Sequence, residues 1–476
     1  MSIRNYLDKY KQADVVFRAS IWFVFVTVID KAISVITQPF INRIMSVDEV
    51  GIYNIYNTWH SVFAILATFY LYCGVLEVHI TKNKDDTKQV VGSLMSLSIL
   101  LSTVFFGLCF IFIKPLSAFL ELKPTYILIM AFSIISDAII QFWCVPKRFA
   151  YAYKEYSLLV VLLFLVRSLL SILLAYTINT DRVLGRILGL TIPTVAVSSV
   201  LFFILMRGIK HVEIKKYWKD ALLFNLPLIP HYLSNILLSS SDRVMIQKLS
   251  TDANTGLYSV AYSFSSLALI VFTALNNAYT PFAYKAIHEK DYENLKHKTN
   301  SVILISVLFS IVLMLLAPEG LFILGGKKYI ATLPIIPILV LGIFFSSFYF
   351  IFSNIEFVYE KTKYIFPVTL FGAGVNIVLN YLLIPRIGYE AASYTTLFGY
   401  VIIAICHYCL ATKIVGHGVY DFKTLGIYMA LLALAAVCSI YLYRVSFLIR
   451  YTVLILVVAF TVFTVIKRKD VFKKAK

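Results

Sequence analysis

Residues 156–178 read YSLLVVLLFLVRSLLSILLAYTI, an apolar run with one charge, Arg167, near its middle. A bilayer's hydrocarbon core is about 30 Å thick, and about 20 helical residues cross it at about 1.5 Å each. In lipid only helices and closed barrels satisfy every backbone polar group. The run lacks the period-two alternation of a barrel strand, so it reads as a membrane-crossing helix. Thirteen further stretches share its character. The expected spans are 19–42, 53–79, 90–113, 125–145, 156–178, 184–206, 221–245, 257–281, 300–318, 333–358, 364–384, 391–412, 424–443 and 447–466. The composition agrees: 60% of residues are hydrophobic, 14% are charged, and the mean hydropathy is +0.83. A soluble domain carries about 25% charged residues. The expected fold is therefore an all-α integral membrane protein of about 14 transmembrane helices.

Orientation follows from lysine and arginine, which accumulate on the cytoplasmic side. The terminal segments and every second loop hold 29 of them, and the opposite loops hold 12. Both termini and the linker 207–220 are thus expected in the cytoplasm, and the membrane is expected to be the cytoplasmic (inner) one. The net charge of +18 is accounted for by this bias and by anionic headgroups, so no nucleic-acid partner is needed. The N-terminal segment 1–18 mixes Ile3, Tyr6, Leu7 and Tyr10 with Arg4, Lys9 and Lys11. It fits either a short helix in the interface or a plain tail. The six cysteines sit in or at the ends of spans and are expected as free thiols.

The two halves echo each other. ITQPFINRIMSVDEVGIYNIYNTW (36–59) matches SSSDRVMIQKLSTDANTGLYSVAYSF (239–264), with Gly51 against Gly256, Tyr53 against Tyr258, Arg43 against Lys248 and, upstream, Asp30 against Asn235. RFAYAYKEYSLL (148–159) matches EFVYEKTKYIFP (356–367). Six spans separate the repeats, and an even number preserves topology. They are expected to form two pseudo-symmetric six-helix lobes around a central cavity, 19–206 and 221–412, which rock to expose a site alternately. Spans 13 and 14, with their lead-in (413–466), are an appendage, and 467–476 is a basic cytoplasmic tail.

Four passages carry a family resemblance. They are LPLIPHYLSNILLSSSDRVMIQKL (226–249), TGLYSVAYSF (255–264), ILGGKKYIATLPIIPIL (323–339) and NIVLNYLLIPRIGYEAASYTTLFGY (376–400). Through them the chain resembles the lipid-linked oligosaccharide flippases, Wzx-like members of the polysaccharide transporter family in the MOP superfamily. The resemblance implies twelve core helices, often with two more. It implies a cargo of undecaprenyl-pyrophosphate-linked oligosaccharide, turned from the inner to the outer leaflet for O-antigen or capsule synthesis. It also implies sodium or proton coupling, no other cofactor, and a polysaccharide polymerase with its chain-length machinery as partners. One chain supplies both lobes, so a monomer is expected. Multidrug exporters of the same superfamily are the alternative. A membrane polysaccharide-biosynthesis enzyme fits less well, because no loop exceeds about twenty residues, the scale of plain connections. No catalytic residue, metal site or P-loop is read; GGKKY (325–329) lacks the GxxxxGK[ST] spacing.

Charge inside a span costs about 2.5–3.5 kcal/mol, which marks candidates. Lys31 and Arg167 are the anion-binding candidates for a pyrophosphate; pairing with a nearby carboxylate is the alternative. Asp30, Glu77, Asp137 and Glu356 are the candidates for ion coupling. Asn376 and Asn380 stand one turn apart and either bond between helices or touch sugar. Asp242 and Arg243 are expected to end span 7 at the outer surface, as structure typical of the resembled family or as a gate pair. Pro39, Pro227 and Pro230 interrupt the first helix of each half and serve as hinges or static bends.

Overall fold

A computed structural model of the chain describes residues 14–207, 209, 214–416 and 419–467. The N-terminal segment before Asp14, part of the linker and the tail beyond Lys467 lie outside the described residues. The helices are α1 (Val15–Ile44), α2 (Val47–Thr68), α3 (Val75–Lys82), α4 (Thr87–Ile111), α5 (Ile113–Leu120), α6 (Pro124–Phe149), α7 (Tyr153–Thr177), α8 (Arg182–Met206), α9 (Lys219–Asn225), α10 (Ile229–Leu249), α11 (Asp252–Ser265), α12 (Leu267–His288), α13 (Tyr292–Leu315), α14 (Ala317–Gly325), α15 (Ile336–Val358), α16 (Ile365–Ile387), α17 (Ala391–Val415), α18 (Phe422–Leu442) and α19 (Phe447–Lys467). There is no strand among the described residues.

Thirteen stretches among these residues are long and apolar enough to cross a membrane, and each coincides with an expected span. The exception is the second span, which carries Asn54, Asn57, Thr58 and His60. Its helix α2 starts on a capping box, where Ser46 and Glu49 each accept from the other's backbone N–H, satisfying two otherwise orphaned donors. By composition alone this span is expected to run unbroken to residue 79. The structure ends the helix at Thr68 and resumes it at Val75. Phe69 and Tyr70 take left-handed φ values of 51° each. Their carbonyls both accept from Asn225 Nδ2, at 2.7 and 3.0 Å, and Thr68 Oγ1 accepts from the Tyr70 N–H. These side-chain bonds compensate a conformation that costs non-glycine residues of order 1–3 kcal/mol.

The chain divides into two compact units, Met1–Leu233 and Ser234–Lys476. The division falls inside α10, not in the linker 207–220 expected to separate the lobes. The reason is packing: Tyr217 and Ala221 belong to the core of unit 1 with Leu71, Val90 and Phe142, and Trp218 Nε1 donates to the Ser93 carbonyl at 2.9 Å. In unit 1, α7 and α8 meet backbone to backbone. A Cβ on Gly189 would lie 2.3 Å from Ser171 Cα, and one on Gly185 would lie 2.3 Å from the Leu174 carbonyl oxygen. Small residues four apart let membrane helices approach this closely, and here they hold α7, the helix of Arg167, against α8.

Outward faces stay apolar. Val24, Val28 and Ile36 on α1 and Leu158 and Leu169 on α7 are more than half exposed. Polar residues lie inside instead, as expected of helices solvated by lipid. All six cysteines are free thiols.

Candidate functional site

Unit 1 gathers its membrane charges around Asp137 on α6. Arg167 Nη1 reaches Asp137 Oδ1 at 3.5 Å, and His60 Nε2 lies 3.8 Å from Asp137 Oδ2 and 3.2 Å from Ser133 Oγ. Ser133 and Asp137 share one face of α6 because they are four residues apart. The three charged or titratable side chains are 20–32% exposed, so the cluster opens on one side. Asp30 on α1 lies within electrostatic reach of Arg167 and of its neighbour Lys31. Lys31 is exposed and has no ion pair or hydrogen bond among the described residues. Arg167 makes only its one long contact to Asp137 among them, which leaves most of its donor fork for a ligand. Toward the start of α2, Arg186 stacks on the Tyr53 ring at 3.5 Å and its Nη2 donates to Gln38 Oε1 at 3.5 Å. Arg186 lies inside the expected span 184–206 and is 8% exposed.

Glu77 does not join this group. It lies on α3, beyond the break, half exposed and 4.0 Å from Arg148. Pro39 sits inside α1, which continues through it to Ile44. Pro227 lies in a 3-10 turn at Leu226–Leu228 and Pro230 in the first turn of α10, so the helix of span 7 is interrupted between Asn225 and Ile229.

Unit 2 holds a sealed network. Asp242 is 2% exposed, and α10 runs on to Leu249. The expectation that Asp242 and Arg243 form a surface pair is therefore corrected. Within the polar run SSSDR, Asp242 meets protein and not an open surface. Asp242 Oδ2 accepts from Tyr258 (2.8 Å) and Thr396 (2.6 Å), and Oδ1 accepts from Asn380 Nδ2 (2.7 Å). Asn380 Nδ2 also donates to Asn376 Oδ1 at 3.2 Å, Thr395 donates to Asn380 Oδ1, and Ser241 donates to Asn376 Oδ1 at 3.4 Å. Asn376 and Asn380, at 1% and 0% exposure, face this network and no open surface. Arg243 turns away, as adjacent helix residues must, and stacks on Tyr262 at 4.7 Å. Below it a cavity of about 360 Å³ is lined by Asn235, Ser239, Tyr262, Tyr349, Thr369 and Tyr400 among others.

A second buried acid, Glu356, lies 2.6 Å from His407 Nδ1, with both side chains 0% exposed. His407 also takes an edge-to-face contact from Tyr349.

Known proteins share this arrangement of membrane helices in sequence and in fold. The family model described as polysaccharide biosynthesis protein matches residues 16–285, more than half of the chain, and the MatE model matches residues 227–382. The chain belongs to the polysaccharide biosynthesis protein family. A Haemophilus influenzae protein of the Lsg locus is 22% identical over 357 residues, covering 74% of this chain and 86% of that one. An uncharacterized membrane protein of the same organism is 22% identical over 343 residues, covering 70% and 81%. Among solved structures, the lipid II flippase MurJ in an inward closed conformation superimposes with a TM-score of 0.69 at 16% identity, covering 95% of this chain and 100% of that one. An inward-facing multidrug resistance MATE transporter of the MOP superfamily gives 0.58 at 14% identity, covering 81% and 95%. At these identities the likeness is one of fold. The chain is thus a multi-pass membrane protein of the polysaccharide biosynthesis protein family, with the fold seen in MurJ and in MATE transporters.

Proposed function

We propose that the chain turns undecaprenyl-pyrophosphate-linked oligosaccharide from the inner to the outer leaflet of the cytoplasmic membrane by alternating access, for surface polysaccharide such as O-antigen or capsule. The observation that carries this reading is the pair of intramembrane cations in unit 1. Lys31 makes no hydrogen bond or ion pair among the described residues, and Arg167 makes one long contact of 3.5 Å, so neither is locked in a tight pair that a pyrophosphate could not displace. Arginine grips phosphate oxygens in pairs, and lysine adds a point charge. The cavity of unit 2 adds tyrosine, serine, threonine and asparagine groups of the kind that bind sugar hydroxyls.

Ion coupling is best carried by Asp242. Sequence reading assigned coupling to Asp30, Asp137, Glu77 and Glu356, yet in the structure Asp30 and Asp137 lie beside cations, Glu77 lies near Arg148, and Glu356 is bonded to His407. The hydrogen-bond partners of Asp242 are all neutral groups. Its carboxylate, the side-chain oxygens of Asn376 and Asn380, and the Thr396 hydroxyl form an all-oxygen set suited to a hard cation, which supports sodium over a proton. A bound cation would neutralise a charge that burial otherwise makes costly. The chain is expected to act as a monomer, in partnership with the polymerase that consumes the flipped unit, and to keep both termini in the cytoplasm.

The test uses proteoliposomes of the purified protein carrying an undecaprenyl-pyrophosphate oligosaccharide. An impermeant glycosidase reports the fraction in the outer leaflet over time, with and without a sodium gradient. Protein-dependent, gradient-accelerated exposure is the expected result. Efflux of a cationic dye with no glycan movement would sink the flippase reading in favour of an exporter.

A further inference from the structure

The four charges in the membrane interior of unit 1 cancel: Asp30 and Asp137 against Lys31 and Arg167. An anion approaching Arg167 therefore meets a group with no net charge, and its guanidinium is still engaged with Asp137. Of the side chains that can alter this count, Asp30 acts on Arg167 from α1, whereas His60 faces Asp137 itself. Its Nε2 faces Ser133 Oγ at 3.2 Å and Asp137 Oδ2 at 3.8 Å. Asp137 thus stands between an imidazole and a guanidinium, and both contacts are longer than the about 2.7–2.9 Å of a formed charge-assisted hydrogen bond.

The surroundings add no other titrating partner. Asp137 and Arg167 are the charges that act on His60. Tyr56, one turn back on α2, brings its ring to 6.1 Å. Helix α4, which packs on α2, carries no charge after Lys88. The charges of α8 lie at its start, Arg182 at 3.9 Å from Glu49 and Arg186 on Tyr53, two turns or more toward the beginning of α2.

Resting on the anion-site reading above, we infer that unit 1 takes up its anionic headgroup together with one proton on His60. In the neutral imidazole, Nε2 accepts from the Ser133 hydroxyl and the proton sits on Nδ1. Protonation from water makes Nε2 a donor. The imidazolium then takes over Asp137, and Arg167 is released to the phosphate oxygens. The only bond formed is N–H, and the cluster moves from neutral to one positive charge. His60 is the means because one proton turns a neutral imidazole that already faces Asp137 into a cation with two N–H donors. The direction of linkage follows: lower pH tightens anion binding, and anion binding draws a proton in.

Calorimetric titration of inorganic pyrophosphate into the purified full-length protein, repeated in buffers of different ionisation enthalpy, counts protons taken up per anion bound. The titration of pyrophosphate itself is common to all variants and cancels in the comparison. Wild type is expected to take up close to one proton more than His60→Gln, and its affinity is expected to fall about tenfold more per pH unit above neutrality than that of the variant. Asp137→Asn, whose cluster is positive without a proton, is expected to bind pyrophosphate more tightly with no extra uptake, and it decides the matter if His60→Gln does not fold. Equal proton counts in wild type and His60→Gln, or retained uptake in Asp137→Asn, with binding still dependent on Arg167, would overturn the inference alone. Undetectable binding by wild type, or binding untouched in Arg167→Ala, would overturn the anion-site reading beneath it.

Discussion

The polar clusters of the two units are built on opposite plans. In unit 1, Asp137, Arg167 and His60 are each 20–32% exposed, charged partners answer one another, and every contact is 3.2 Å or longer. In unit 2, Asp242 is 2% exposed and accepts three hydrogen bonds of 2.6–2.8 Å, all from neutral groups. A loose, balanced cluster open on one side is arranged to exchange partners with a visiting ligand. A tight cluster around a lone charge is arranged to keep its geometry whether or not a small cation joins it. On the function proposed above, unit 1 would meet the anionic cargo and unit 2 the small coupling ion.

The comparison can be broken most sharply at Asp242. Asp242→Ala strands three buried donors, at roughly 1–3 kcal/mol each, and should both lower the thermal midpoint and stop flipping. Asp242→Asn should keep the protein folded while abolishing the response to a sodium gradient. A folded Asp242→Asn protein that still responds to sodium would move the coupling site elsewhere.

Next in size is the wedge in unit 1. Gly189→Val forces side-chain carbons into Ser171, an overpacking that costs about 1–3 kcal/mol and separates α7 from α8. Thermal unfolding in detergent should show the loss. The same change at Gly374, whose Cβ would meet nothing within 4 Å, should be nearly silent.

Arg167→Ala should weaken anion binding by roughly 1.5–3 kcal/mol, about a ten- to hundredfold loss, with little change in protein level. Arg167→Lys should recover part of it. Measured flipping that is indifferent to Arg167 would erase the contrast between the units.

The smallest effect lies outside the spans. Burial pushes the Asp181 carboxyl up, but Lys123 at 2.6 Å, the Tyr126 hydroxyl at 2.6 Å and the Leu184 N–H together hold it below the usual carboxylate range. The stabilisation is therefore present above the ordinary carboxylate pKa and is lost as pH falls through the lowered one. Wild type should lose more stability than Asp181→Asn on acidification, by under about 1 kcal/mol for a pair with its lysine exposed. Parallel melting curves of the two proteins would contradict this.

Much of the fold was legible in the sequence because it follows from local chemistry. Helix-length apolar runs set the spans, and Pro227 interrupts span 7 by removing a donor. Lys31, Arg167, Asp30 and Asp137 stood out because a charge in lipid is conspicuous on its own. Those judgements need only a few residues of context. Tertiary structure alone decided the rest. Asp242 looked like a span end until Tyr258, Asn380 and Thr396 were brought to it from α11, α16 and α17, since a polar residue covered by protein and one at a membrane surface have the same hydropathy. The break at 69–74 depends on Asn225, 156 residues from Phe69. His60 was passed over although Asn54, Tyr56, Asn57 and His60 make α2 the most polar span; its meaning came only when Asp137 was placed beside it, because charge balance belongs to positions in space and not to neighbours along the chain.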